Sequence, residues 1–74
     1  MEEKEIKYYK RSNGELIDIS TMETTHLLNS LNKDFRTLFE SRNKNEYEER
    51  MNEINNLKEE VYKRFNKFRE ELAD

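Results

Sequence analysis

The 74-residue sequence contains no cysteine, no proline and only one glycine. Without cysteine the chain cannot form a disulfide, and with a single histidine it has no His/Cys cluster to hold structural zinc. The absence of proline and the single glycine favour long helices. A chain of this length forms one domain, which buries only about 60% of the surface that its unfolded form exposes. We therefore expect residues 1–74 to be one marginally stable domain that gains stability as a homodimer or higher oligomer.

The sequence is also poor in apolar residues and has no strong excess of one charge. Charged residues make up 42% of it and apolar residues 32%, which is close to the composition of disordered chains. The apolar residues nevertheless recur at helical spacing, which argues against disorder. The net charge of −3, with both signs interspersed, argues against nucleic acid as a partner. No run of six apolar residues occurs and residues 1–5 do not resemble a signal peptide, so we expect a cytoplasmic protein without membrane contacts.

Residues 6–19 carry the pattern of a β-hairpin, and we expect residues 1–5 before it to be frayed. Asn13 and Gly14 are the pair preferred in two-residue type I′ turns, in which both residues need positive φ. A two-residue loop would place Tyr8 opposite Ile19 and would leave Tyr9 on the outer face. The side chains predicted to face the core are Ile6, Tyr8, Ile17 and Ile19.

Residues 20–43 follow as the predicted first helix. Ser20 and Glu23 have the spacing of a capping box, although a short turn at Ser20 and a helix start at Thr24 or Thr25 would also fit. The spacing of the apolar residues predicts an amphipathic helix that ends near residue 43. These apolar residues are Leu27, Leu28, Leu31, Phe35, Leu38 and Phe39.

Residues 45–72 are the predicted second helix, which has a coiled-coil-like apolar stripe interrupted only at Lys58. Asn45 and Glu48 have the spacing of a second capping box. The stripe is out of phase with that of the first helix by two residues, which favours a turn at residues 43–45 and an antiparallel helical hairpin. One long bent helix after the hairpin is the alternative, because a local change of register can be absorbed without a break. The stripe consists of Tyr47, Met51, Ile54, Val61, Phe65, Phe68 and Leu72.

The predicted fold is thus mainly α with an N-terminal β-hairpin, in the order ββαα. With the start at Thr24 its first helix has about 20 residues and its second about 28, so the second is longer by about eight residues, or roughly 12 Å. Part of the apolar stripe would then extend beyond the first helix and stay exposed in a single subunit. We expect a second copy of the chain to cover it. The predicted self-association residues are Val61, Phe65, Phe68 and Leu72.

No group of residues points to catalysis, a cofactor or a metal ion, so we do not expect an enzyme. His26 lies in the first turn of helix 1, where the helix dipole favours a neutral, structural histidine. A polar contact to a ligand or partner at the helix N-terminus is the alternative. The basic and aromatic first strand is either an ordinary edge strand or a binding surface. The candidate contact residues are Tyr8, Tyr9, Lys10, Arg11, Thr25, His26 and Asn29.

The segment from Tyr8 to Asn29 resembles a group of small phage and prophage proteins of mostly unassigned function. These proteins share an aromatic residue, a turn with glycine, alternating isoleucines, a methionine, and then His-Leu and Asn at the start of a helix. The aromatic residue is often Trp in that group and the turn is often Asp-Gly, so this sequence departs from the pattern at both places. The matching residues are Tyr8 or Tyr9, Asn13, Gly14, Ile17, Ile19, Met22, His26, Leu27 and Asn29.

The resemblance implies an accessory protein that binds a host protein and inhibits or redirects it, in some cases to neutralise host defence. We therefore predict a non-enzymatic protein of the host cytoplasm whose hairpin and first helical turn contact a host protein. The alternative is an oligomer that sequesters a small anionic or nucleotide ligand at its subunit boundaries. That pocket would use Tyr8, Tyr9, Lys10, Arg11 and His26.

Overall fold

The computed structural model describes residues 5–73, and most of the segment predicted to be frayed lies outside the described residues. A two-stranded antiparallel sheet is formed by β1 (Tyr8–Lys10) and β2 (Leu16–Asp18). A 3₁₀ turn (Ile19–Thr21) leads to helix α1 (Thr24–Leu38), and a short loop leads to helix α2 (Lys44–Leu72). The predicted ββαα fold is confirmed. The alternative of one long bent helix is wrong, because the chain reverses between α1 and α2.

The hairpin loop has three residues, 12–14, rather than the two that we predicted. The Arg11 N–H donates to the Glu15 carbonyl at 2.8 Å, and the Gly14 N–H donates to the Arg11 carbonyl at 2.9 Å. Gly14 has a φ of +89°, and no other described residue has a positive φ. A type I′ turn would need positive φ at Asn13 as well, so this is a type I turn followed by a glycine bulge.

The odd loop length turns β1 over relative to our prediction. Tyr9 pairs with Ile17, whereas the predicted loop would have paired Lys10 with Ile17. A one-residue shift exchanges the two faces of a strand. Tyr9 is therefore buried and Tyr8 is 47% exposed, the reverse of our prediction. Ile6 was also predicted to face the core and is exposed.

Helix α1 begins later than residue 20 because Asp18 caps the 3₁₀ turn first. The Asp18 Oδ1 accepts the Ser20 N–H at 2.9 Å and the Ser20 hydroxyl at 2.7 Å, which commits Ser20 to that turn. The N-cap of α1 is Glu23, whose side chain makes no cap hydrogen bond. The predicted capping box is therefore wrong, and the alternative start at Thr24 is the observed one.

Helix α2 is capped two residues earlier than we predicted. The Asn43 Oδ1 accepts the Glu46 N–H at 2.9 Å, and the Glu46 Oε2 accepts the Arg42 N–H at 2.8 Å. This reciprocal pair satisfies backbone donors at the helix start, as a capping box does. Asn45, the predicted cap, lies inside the first turn.

The core lies where the hairpin and α1 meet the middle of α2. Its buried cluster consists of Tyr9, Ile19, Met22, Leu27 and Leu57, and Ile54 is also buried. Leu57 is 0% exposed, whereas our predicted stripe passed through Lys58, which is exposed. The stripe of α2 that faces α1 therefore keeps the predicted Ile54 and Val61 but is rotated toward Leu57 and away from Lys58.

Candidate functional site

The predicted contact residues of the hairpin lie on opposite faces of it. Tyr8 and Lys10 point outward together with Leu16, which pairs with Lys10. Tyr9 points inward and packs edge-on against His26, with ring centroids 6.3 Å apart and an interplanar angle of 81°. The contact with a buried ring supports the structural interpretation of His26.

The remaining candidates of that set do not complete a pocket. Arg11 pairs with Glu15 across the loop at 3.5 Å. Thr25 and Asn29 are exposed and lie on the side of α1 away from Leu27, because each residue turns an α-helix by about 100°. Within one subunit the structure thus does not gather the residues proposed to bind a small anionic ligand.

The β-hairpin covers one face of the helical hairpin and holds it through polar contacts as well as the core. Lys7 forms an ion pair with Glu59 of α2. This contact raises the pKa of Lys7 and lowers the pKa of Glu59. The backbone N–H of Lys10 donates to the Glu53 carboxylate at 3.3 Å. The first strand is therefore attached to α2 along its edge.

The opposite face of the helical hairpin is uncovered and carries aromatic side chains. We call it the open face. On α1 it lies about a quarter turn from the buried Leu27, and on α2 about a quarter turn from the buried Leu57. Most of its apolar side chains are at least 40% exposed. These exposed side chains are Leu28 and Phe35 on α1, Phe39 directly after α1, and Tyr47 and Phe65 on α2.

At one end of the open face, Phe35, Phe39 and Tyr47 form what we call the loop-end cluster, beside the loop that joins the two helices. Phe39 is 87% exposed, which is the highest value among the large apolar residues of the described chain. Phe35 is 40% and Tyr47 is 48% exposed. Three aromatic rings at the tip of a helical hairpin can enter pockets on a partner with little loss of conformational freedom.

At the other end, α2 continues beyond the start of α1. Arg64 closes the junction, because its Nη1 donates to Thr24 Oγ1 at 3.0 Å and its Nε donates to Glu60 at 3.0 Å. Beyond it, Phe65, Phe68 and Leu72 are 58%, 60% and 67% exposed. We call these three residues together with Val61 the tail cluster. A groove of about 490 Å³ separates it from α1 and is lined by Thr24, Leu27, Leu28, Val61, Arg64, Phe65, Lys67, Phe68 and Glu71.

Charged residues on the open face are all cationic in the described chain. Lys44, Lys58 and Arg69 lie within the same sector of α2 as Tyr47 and Phe65, as the helical rotation shows. Lys58 separates the loop-end cluster from the tail cluster. The open face is therefore complementary to a partner surface that is apolar and carries acidic groups. This local positive charge contrasts with the net charge of −3 of the whole chain.

A buried carboxylate lies between the two helices. Asp34 is 1% exposed, and its Oδ1 lies 3.5 Å from Arg50 Nη1. Its Oδ2 has no hydrogen-bond partner among the residues that the structure describes. Burial and then the nearby Glu53 carboxylate raise the pKa of Asp34 to about 7, against the opposing effect of Arg50. Sequence reasoning missed Asp34, although it lies three residues after Leu31 and four before Leu38.

The described residues give no sign of other sites. Residues 5–73 contain no group of three or more His, Cys, Asp or Glu residues that could hold a metal ion. No helix in that range is long and apolar enough to cross a membrane. No family model, curated protein or solved structure matches the chain.

Proposed function

We propose that this protein is a non-enzymatic binding protein whose open face, and the loop-end cluster in particular, occupies a surface of another protein. The observation that supports this proposal is the exposure of Phe35 and Phe39, which are one helical turn apart, and of Tyr47 at the start of α2. A small monomer gains nothing in its own stability from rings that remain in water. A contiguous exposed apolar surface of this kind is typical of interaction sites.

The size of the loop-end cluster is sufficient for such a role. Aromatic side chains bury 150–250 Å² each when fully covered, so the exposed fractions of the three rings correspond to about 350 Å². One partner of a standard interface contributes about 800 Å². The cluster would supply nearly half of that area and would form its apolar centre. Lys44 and Lys58 would lie at its edge and would select a partner with acidic residues around an apolar patch.

The resemblance of residues 8–29 to phage accessory proteins makes a host protein in the host cytoplasm the expected target. Binding to such a protein would inhibit or redirect it, and a component of host defence is one candidate of this kind. We propose no catalytic activity and no cofactor. The contact surface in this proposal differs from the one predicted from sequence, because Tyr9 and His26 pack against each other inside the fold.

Two variants, each of which replaces one exposed aromatic residue by serine, test the proposal. The tagged protein is used to capture partners from host lysate, and each captured protein is purified and its dissociation constant is measured against the wild type and the variants. Phe39→Ser should weaken binding at least tenfold, because a central aromatic contact is worth more than about 1.4 kcal/mol. Tyr8→Ser, on the outer face of the hairpin, is the matched control and should leave the dissociation constant unchanged.

Both substitutions affect exposed side chains, so neither should lower the melting temperature appreciably. If Phe39→Ser bound the partner as the wild type does and Tyr8→Ser bound it more weakly, the partner would contact the hairpin instead of the loop-end cluster. Failure to obtain any partner that binds the purified wild-type protein would refute the proposal.

A further inference from the structure

We propose that the tail cluster is a self-association surface, on which the end of α2 from a second copy lies antiparallel to the first. The twofold axis would pass between Phe65 and Phe68. This inference does not depend on the proposed function, because the loop-end and tail clusters lie at opposite ends of the open face.

The part of α2 that extends beyond α1 has the length and the residue spacing of a helix seam. Helix α1 begins at Thr24, which is held by Arg64, and α2 continues for eight residues to Leu72, or about 12 Å. The four members of the tail cluster are separated by four, three and four residues. This is the spacing of a seam between two helices. Within one subunit the seam has no facing helix beyond Arg64 in the described residues.

The seam is complementary to a second copy of itself in the antiparallel direction. If Phe65 lies opposite Phe68 of the second copy, then Val61 lies opposite Leu72 of the second copy. The symmetry repeats both contacts, so four apolar layers form without a polar residue in the seam. Leu72 of the second copy would enter the groove beside Leu28 and Val61.

The residues along the two edges of the seam are also complementary in charge. Arg64 and Glu71 lie on one edge, and Tyr62 and Arg69 lie on the other. In the antiparallel pair, each Arg64 meets Glu71 of the second copy and each Tyr62 meets Arg69 of the second copy. A parallel pair would instead bring Arg64 against Arg69 across the seam, and like charges would oppose it. The edges therefore select the antiparallel direction.

The exposed area sets the strength of the association. Tyr62, Phe65, Phe68 and Leu72 each expose roughly 100 Å² of apolar surface, and Leu28 adds somewhat less. The two copies together would bury about 1,000 Å², which is near the lower limit for a specific interface. We therefore expect a dissociation constant in the micromolar range rather than an obligate dimer.

The absence of cysteine from the sequence allows a direct test of direction. Val61→Cys and Leu72→Cys proteins are oxidised separately and as an equimolar mixture, and the products are separated by mass. In the antiparallel dimer the two different cysteines face each other, whereas two identical cysteines are about 16 Å apart, beyond the reach of a disulfide. The mixture should therefore yield mainly the heterodimer, and each protein alone should yield little. Homodimers from each protein alone, or a statistical mixture, would overturn the proposal.

Charge reversal tests the edge contacts. Sedimentation equilibrium at about 100 µM should show wild-type dimers, because this concentration exceeds the dissociation constant expected for the buried area. In the dimer of Glu71→Arg, each Arg64 would face the new arginine of the other copy, and the symmetry repeats this repulsive contact. The dissociation constant should therefore rise at least tenfold. Glu70→Arg makes the same charge change in the same helical turn but points away from the seam, and it should leave the dimer intact. A monomeric wild type, or an equal effect of the two variants, would overturn the proposal.

Discussion

Replacement of Asp34 by asparagine should make the protein more stable at neutral and alkaline pH. The Asp34 side chain is 1% exposed, and its Oδ2 lacks a hydrogen-bond partner within residues 5–73. Burial, followed by the Glu53 carboxylate, raises its pKa to about 7, although Arg50 partly offsets this effect. Asparagine has nearly the same shape, carries no charge and can donate a hydrogen bond to Glu53 while it accepts one from Arg50.

The sign of the pH dependence follows from proton binding. The pKa of Asp34 is about 7 in the folded chain, against an ordinary value of 3.8. Between these values the unfolded chain binds fewer protons at this position than the folded chain does. The contribution of Asp34 to the free energy of unfolding is therefore fully present below about pH 4 and is lost as the pH rises through about 7. The pKa difference sets an upper limit of about 4 kcal/mol, and relaxation around the charge should reduce the effect to about 2 kcal/mol.

Urea denaturation followed by helical circular dichroism measures this effect, at one protein concentration and from about pH 4 to about pH 8. The free energy of unfolding of Asp34→Asn should exceed that of the wild type by about 2 kcal/mol at the upper pH and by almost nothing at the lower. Glu48→Gln removes an exposed carboxylate of α2 that pairs with Lys44, and its difference from the wild type should change by less than about 0.5 kcal/mol across this range. If Asp34→Asn were the less stable protein at pH 8, the ionised Asp34–Arg50 pair would be stabilising and our reasoning would be wrong.

Three further predictions use the same denaturation measurement. Asn43→Ala should lower the free energy of unfolding by about 1 kcal/mol because it removes the observed cap of α2, whereas Asn45→Ala should lower it by less than about 0.5 kcal/mol. A larger loss for Asn45→Ala would show that Asn45 is the cap. Leu57→Ala should lower the free energy of unfolding by about 3 kcal/mol, and Lys58→Ala should leave it nearly unchanged. Similar losses for the two variants would contradict the observed rotation of α2. Gly14→Ala should lower the free energy of unfolding by about 1 kcal/mol, because alanine is strained at a φ of +89°, and an unchanged stability would contradict the positive φ of Gly14.

The order of the elements could be predicted from sequence because each has a strong local signal. Asn13 and Gly14 located the turn, and the apolar spacing located both helices and the reversal between them. The number of loop residues could not be predicted in the same way. Two-residue and three-residue loops both accept Asn-Gly, and they differ in the φ of Asn13, which depends on which face of β1 packs better against α2. The burial of Tyr9 was missed for that reason.

The rotation of the helices was missed because polar residues occupy positions at the interface. Asp34 on α1 and Arg50 and Arg64 on α2 lie in line with the buried leucines, so the purely apolar stripes of the sequence follow neighbouring lines instead. Those neighbouring lines include Phe35 and Phe65, which lie on the open face. Apolar periodicity thus identified part of the contact between α1 and α2, through Leu27 and Ile54, together with exposed side chains of the open face. Burial of a carboxylate depends on contacts between distant residues, and local sequence carries little information about it.

The glycine bulge of the hairpin has a consequence for how such a chain can diversify. Tyr8 and Tyr9 are adjacent, so a deletion of one residue from the loop would exchange which phenol is enclosed and which meets water. An aromatic ring would still fill the interior, while the outer strand surface would present a different set of neighbours. Insertions and deletions of a single loop residue could therefore remodel the exterior of this protein without a new scaffold.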